Sequence, residues 1–181
     1  KIGESWELAD LAATSPSGGG GEAAHSVVRN GPLRKRTLGE VIREFGTIVT
    51  GTMKLAADGS FPLLLKYLDA RENLSVQVHP SEAYAAKHPG AHLKSEAWYV
   101  VAAEPGAMIY RGVVEGTDPD TFRRAIEDGS VEHLMLRQRA EPGQCVYLRS
   151  GTVHALGAGT LVAEVQIASD TTFRVFDWGR T

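Results

Sequence analysis

The feature that most constrains this chain is a succession of short strand-like runs separated by glycine and proline corners. Residues 3–8, 62–69, 73–79, 96–103, 107–112, 145–148, 160–167 and 172–176 all read this way. Many short strands with few helices argue for a sandwich or barrel, and against alternating strand–helix units. The helical signals are brief. Thr37 and Glu40 have capping-box spacing, with Leu38, Val41, Ile42 and Phe45 following at helical intervals. Ser81 caps a turn running to Ala86. Asp118-Pro119 is a cap followed by proline at the first helical position, opening a helical insertion over about 118–135 with Phe122, Ala125 and Ile126 as its apolar stripe. The stretch TSPSGGGG cannot bury apolar surface, so residues 14–24 are expected to form a flexible loop.

At 181 residues the chain can build one sizeable core. Its net charge of −3 gives no reason to expect nucleic acid or an anionic membrane as partner. An anionic ligand would need a few locally placed cations. A single cysteine, Cys145, excludes an internal disulfide and a cysteine-based zinc knuckle, and fits a reducing, cytoplasmic compartment. The longest apolar run, 61–65, is far too short to span a membrane. A start at Lys1 without methionine, and an end just after a strand-like run, suggest a piece of a longer protein.

Three segments carry candidate chemistry. In Leu74-Ser75-Val76-Gln77-Val78-His79-Pro80, alternation puts Ser75, Gln77 and His79 on one face and the apolar residues on the other. If the apolar face packs against a second sheet, the polar face looks into a cavity. Lys94 and Glu96 share a face at the head of an apolar strand, where a buried carboxylate needs a cation or metal. Gly143 and Gly151 then bracket a strand and turn that deliver His154 to the start of the next strand. Each segment alone reads as well as ordinary surface or edge polarity. Together, Gln77, His79, Glu96 and His154 are good ligands for a divalent metal, and nitrogen and oxygen donors suit an open catalytic site. His25, His88, His92 and His133 lack such support and are expected at the surface.

The order His79, Glu96, Gly106, then Gly143 through Arg149-Ser150-Gly151 to His154, resembles the two signature motifs of the cupin superfamily. Within it, GESWELAD, FPLLLKYLDARENLSVQVHP, KSEAWYV, SGTVHALGAGTLVAE and SDTTFRVFDWGR resemble the type I phosphomannose isomerases in their short bacterial form. The resemblance implies a mainly β, jelly-roll β-barrel with a few short helices over residues 1–181, normally followed by a smaller β-domain. It implies one Zn2+ per chain, or another divalent metal, on Gln77, His79, Glu96 and His154. It assigns Arg174 as an active-site residue and Lys94 as a neighbour of the substrate, and places Ser75, Glu164, Asp170 and Arg180 around sugar and phosphate. Arg149 replaces a common proline, Ser95 and Ala97 depart from the usual pattern, and Ile167-Ala168 replaces a more polar pair.

The activity implied is interconversion of mannose 6-phosphate and fructose 6-phosphate through an enediol. The base remains open among Lys94, His79, Glu164 and metal-activated hydroxide. The alternatives are a sugar-phosphate-sensing module without turnover and another metal-dependent cupin enzyme, such as an oxygenase. Gln77 argues against the iron site an oxygenase needs.

Overall fold

The computed structural model describes residues 2–11, 25–169 and 171–180, so the glycine-rich segment 14–24 and Asp170 lie outside the described residues. Two antiparallel five-stranded sheets face each other among them. With strands numbered along the chain, the first sheet runs β1 (Ile2–Leu8), β2 (Leu63–Ala70), β9 (Thr160–Ile167), β4 (Glu96–Ala103), β7 (Cys145–Leu148). The second runs β10 (Phe173–Phe176), β3 (Val76–Val78), β8 (His154–Leu156), β5 (Met108–Val113), β6 (Met135–Arg139). This is the expected jelly-roll barrel with short helices.

The core between the sheets joins Trp98, Val100, Val146, Leu148 and Val162 of the first to Ile109 and Leu156 of the second. Full burial of side chains of this size contributes roughly 1.5–3 kcal/mol each. Strand alternation continues the same inner face into a different chemistry. Beyond Trp98 comes Glu96, and beyond Val162 come Glu164 and Gln166, all buried. The barrel interior is therefore apolar at one end and charged at the other.

A second apolar layer lies outside the second sheet. Val76, Tyr110, Met135 and Ala155 pack with Phe122 of α4 (Pro119–Glu127) and with Phe176 and Trp178. Here the structure corrects the sequence expectation for β3. Its apolar residue Val76 packs beneath this outer cover, while its polar face looks toward the opposite sheet. The helix and the C-terminal segment supply the apolar partner that alternation alone assigned to a second sheet.

The remaining helices follow their caps. Thr37 and Glu40 close a reciprocal capping box on α1 (Leu38–Phe45), and Ser81 accepts from the Tyr84 amide at the start of α3 (Glu82–Ala85). Between them, α2 (Thr47–Thr50) was not anticipated. Nor was β6, an edge strand whose Arg137 and Arg139 break the apolar pattern and discourage further strand pairing.

Candidate metal centre

His79 follows β3, Glu96 opens β4 and His154 opens β8, so loop and strand ends of both sheets meet at one point. His79 Nε2 lies 3.3 Å from Glu96 Oε2, and His154 Nε2 lies 3.1 Å from Glu96 Oε1. All three side chains are buried, with candidate ligand atoms within 4.8 Å of one another. Each imidazole is oriented by its other nitrogen. His79 Nδ1 is 3.0 Å from the Thr171 carbonyl, and His154 Nδ1 is 2.8 Å from that of Thr152. A carbonyl only accepts, so each Nδ1 carries the hydrogen and each Nε2 turns a lone pair toward Glu96.

The consequence is a concentration of acceptors. Both Glu96 oxygens and His154 Nε2 are buried without a hydrogen-bond donor among the described residues. Lys94 Nζ stands 3.2 Å from Glu96 Oε2 and 3.4 Å from His79 Nε2, supplying one positive charge. Burial pushes the His79 imidazole below its ordinary value, with help from the Lys94 charge, against the opposing pull of Glu96. For Glu96, burial acts to raise the carboxyl, but the Lys94 ammonium beside it, and either imidazole whenever it carries a second proton, hold the group well below the ordinary carboxylate range. Buried imidazole nitrogens and a carboxylate facing one another, with Lys94 the one nearby donor among the described residues, fit a divalent cation. The cluster can hold one.

The turn before His154 ties these pieces together. Gly151 adopts φ +90°, and a Cβ there would come within 3.0 Å of Ser81 Cβ. Its amide donates to the His79 carbonyl at 2.9 Å. Ser150 Oγ accepts from the Lys94 amide at 2.8 Å, and the Ser150 amide donates to Ser95 Oγ at 3.0 Å. One glycine turn thus ties together the segments that carry His79, Lys94 and His154. Ser95, noted in the sequence only as a departure, is one of its anchors.

Gln77 pairs in register with His154 on one side and Arg174 on the other. Directly opposed residues project from the same face, so Gln77 and Arg174 stand beside the centre. Gln77 is half-buried and Arg174 exposed, at the rim. Ser75 is half-buried ahead of β3, with Gln77's parity. Glu164 lies deeper. It accepts from Trp98 Nε1 at 2.7 Å, and its other oxygen is 3.2 Å from Lys66 Nζ. Burial, and then the charge of Glu96, push its carboxyl up, while burial of Lys66 is outweighed by Glu164 and Glu4, which raise that ammonium.

The structure does not gather every candidate. Arg180 pairs with Asp177, and donates to the Asn73 carbonyl at 2.8 Å, on the exposed turn before β3. Asp170 lies outside the described residues. His25, expected at the surface, is half-buried with Nδ1 2.9 Å from Asp10. Lys66, Trp98 and Arg111 were not singled out from sequence. Alternation in Leu64-Lys66-Leu68 would have marked Lys66 as inward, because both flanking leucines are core residues in such a run.

The family described as phosphomannose isomerase type I, catalytic domain, matches residues 14–110. Mannose-6-phosphate isomerase of Streptococcus mutans is 42% identical over 155 residues, covering 86% of this chain and 48% of the relative. A probable mannose-6-phosphate isomerase of Bacillus subtilis is 40% identical over 182 residues, covering 99% of this chain and 53% of the relative. The crystal structure of the mannose 6-phosphate isomerase from Bacillus subtilis superposes with a TM-score of 0.79 at 35% identity, over 98% of this chain and 52% of that one. The chain spans about half the length of these relatives.

Proposed function

Since the chain belongs to the type I phosphomannose isomerase catalytic-domain family, we propose that it interconverts mannose 6-phosphate and fructose 6-phosphate at the centre built by Gln77, His79, Glu96 and His154. The observation that carries the reading is the set of undonated acceptors at Glu96 and His154, buried in the charged end of the barrel. Zinc is the metal we assign, because a dry set of imidazole, carboxylate and amide donors without sulfur suits it and leaves a position open.

When bound, the ion supplies Lewis acidity to the oxygens of the open-chain sugar. Every other part of the reaction falls to the chain. Thr171 and Thr152 hold the two imidazoles in the tautomer that presents Nε2 inward. Moving a proton between C1 and C2 through an enediol needs a group at the centre that takes the proton from one carbon and returns it to the other. Lys94 is placed for this, its Nζ within 3.4 Å of the His79 and Glu96 ligand atoms. Glu164 is the weaker candidate, since Trp98 and Lys66 already engage its two oxygens. Arg174, beside Gln77 at the rim, offers a permanent charge to the developing enediolate oxygen. Ser75 contributes a hydroxyl to the sugar phosphate. A doubly charged substrate is retained within cells, so a cytoplasmic location follows from this assignment.

The test is steady-state conversion of mannose 6-phosphate by full-length protein whose zinc content has been measured. Turnover that rises with zinc occupancy is expected. A zinc-replete, folded protein that leaves mannose 6-phosphate unchanged would overturn the reading.

A further inference from the structure

One row of the second sheet runs Arg174, Gln77, His154, Arg111, each residue the register partner of the next. Register partners share a face, and His154 faces inward onto Glu96. Arg111 therefore projects on the inner side as well. Its parity has a second witness: Ile109, two residues earlier on β5, is fully buried in the core between the sheets. Arg111 itself is exposed, so it stands at the rim of the barrel, directly beside a buried candidate ligand. Three strand spacings of about 4.8 Å separate its Cα from that of Arg174, and the centre lies between them.

The charge at this rim position, like that of Arg174, pairs with no carboxylate among the described residues. Inside the barrel, Glu96 is matched by Lys94 and Glu164 by Lys66. On the surface, Arg123, Arg149 and Arg180 each face a carboxylate. Arg111 has no ion-pair partner among the described residues. A six-carbon phosphate ester with its C1–C2 end at the centre must direct its phosphate toward the rim. There the row offers one guanidinium on each side of Gln77 and His154.

We propose that Arg111 binds the phosphomonoester of the substrate, from the side of His154 opposite Arg174. The inference rests on the isomerase reading above and adds a division of labour to it. Arg174 serves the carbon end beside Gln77, and Arg111 holds the anionic end. Guanidinium suits that task because its planar fork meets two phosphate oxygens at once.

The experiment compares full-length wild type with Arg111→Ala, Arg111→Lys and Arg111→Gln. It measures zinc content, KM and kcat for mannose 6-phosphate, and calorimetric affinity for inorganic phosphate. Arg111→Ala should keep its zinc, raise KM about tenfold or more, lower kcat by a smaller factor, and weaken phosphate binding by a similar tenfold, the size expected for one charge-assisted contact. Arg111→Lys should recover part of both. Arg111→Gln keeps most of the side-chain bulk and gives the same readings should the alanine variant fail to fold. Wild-type KM and phosphate affinity in a folded Arg111 variant would overturn the proposal. If the wild-type protein proves inactive as an isomerase, phosphate binding lost in Arg111→Ala would still support the anion site while the reaction assignment fell.

Discussion

Glu96 and His154 belong to different sheets, yet Oε1 of one lies 3.1 Å from Nε2 of the other across the barrel interior. No backbone ladder joins β4 to β8 among the described residues, so at this end acceptors from the two layers face each other with the Lys94 ammonium as their nearby cation. Metal binding at such a place acts on the fold as well as on the reaction.

The first prediction follows directly. Zinc added to metal-stripped protein should raise the melting temperature, by mass action on the folded state. His154→Ala should lose most of its zinc and most of that rise. Metal analysis showing full occupancy in His154→Ala would remove His154 from the ligand set.

This centre was largely legible in the sequence, because alternation is a strong rule over short strands. Parity alone put Gln77 with His79, and Lys94 with Glu96, and the structure keeps both pairings on the inner face. Less legible was what covers each face. Val76 was paired with the wrong layer, since a sequence does not state that α4 and Trp178 fold over the outside of β3. Arg111 was invisible for a related reason: its meaning comes from being opposite His154, a relation between strands more than forty residues apart. Arg180 shows the converse. Its place in the C-terminal run suggested the substrate, while the local carboxylate of Asp177 and the Asn73 carbonyl engage it at the surface.

The second prediction concerns acid. His79 is held below its ordinary value by burial, so the unfolded chain takes up its proton first as the pH falls. Its contribution to stability is whole above about pH 6.5 and declines below it until the folded value is passed. Glu96 is held well below the ordinary carboxylate range, and its contribution is lost lower, beginning near pH 4.5. Metal-free protein should therefore show two successive losses of stability on acidification, in urea titrations at a series of pH values. Substituting His79→Gln should remove the upper one. A profile flat from pH 7 to 5 in the wild type would contradict this.

The third prediction addresses Lys66 and Glu164, paired at 3.2 Å in a side-chain environment that leaves Glu164 almost fully buried. Glu164→Ala leaves the largely shielded Lys66 ammonium with only the more exposed carboxylate of Glu4 at 3.3 Å, leaves Trp98 Nε1 without its acceptor, and should destabilise the protein by roughly 3 kcal/mol. Removing both charges, in Glu164→Ala with Lys66→Met, should restore much of that loss. Chemical denaturation of the two singles and the double measures the coupling. Additive losses would mean that Lys66 and Glu164 act independently.

The last prediction separates the residues that act on carbon from those that hold phosphate. Arg174 is beside Gln77 in register and exposed at the rim, so its removal should not disturb the buried ligands. Arg174→Ala is expected to keep its zinc and fold while losing about a hundredfold or more in kcat, the usual cost of a lost donor to developing charge. Lys94→Ala should lose turnover to a similar degree. It should lose some stability too, since Nζ is the countercharge nearest Glu96. The phosphate acts differently, because it is remote from the carbons that react. Its binding energy holds the C1–C2 end in place, and that energy is lost with the ester. Free mannose should accordingly turn over far more slowly than mannose 6-phosphate even at saturation. Arg174→Ala should slow both substrates by comparable factors, since the oxygen it serves is common to both. Equal saturating rates for mannose and its phosphate ester would show that no phosphate grip is coupled to the chemistry. A metal-loaded Arg174→Ala with wild-type kcat would take Arg174 out of the reaction.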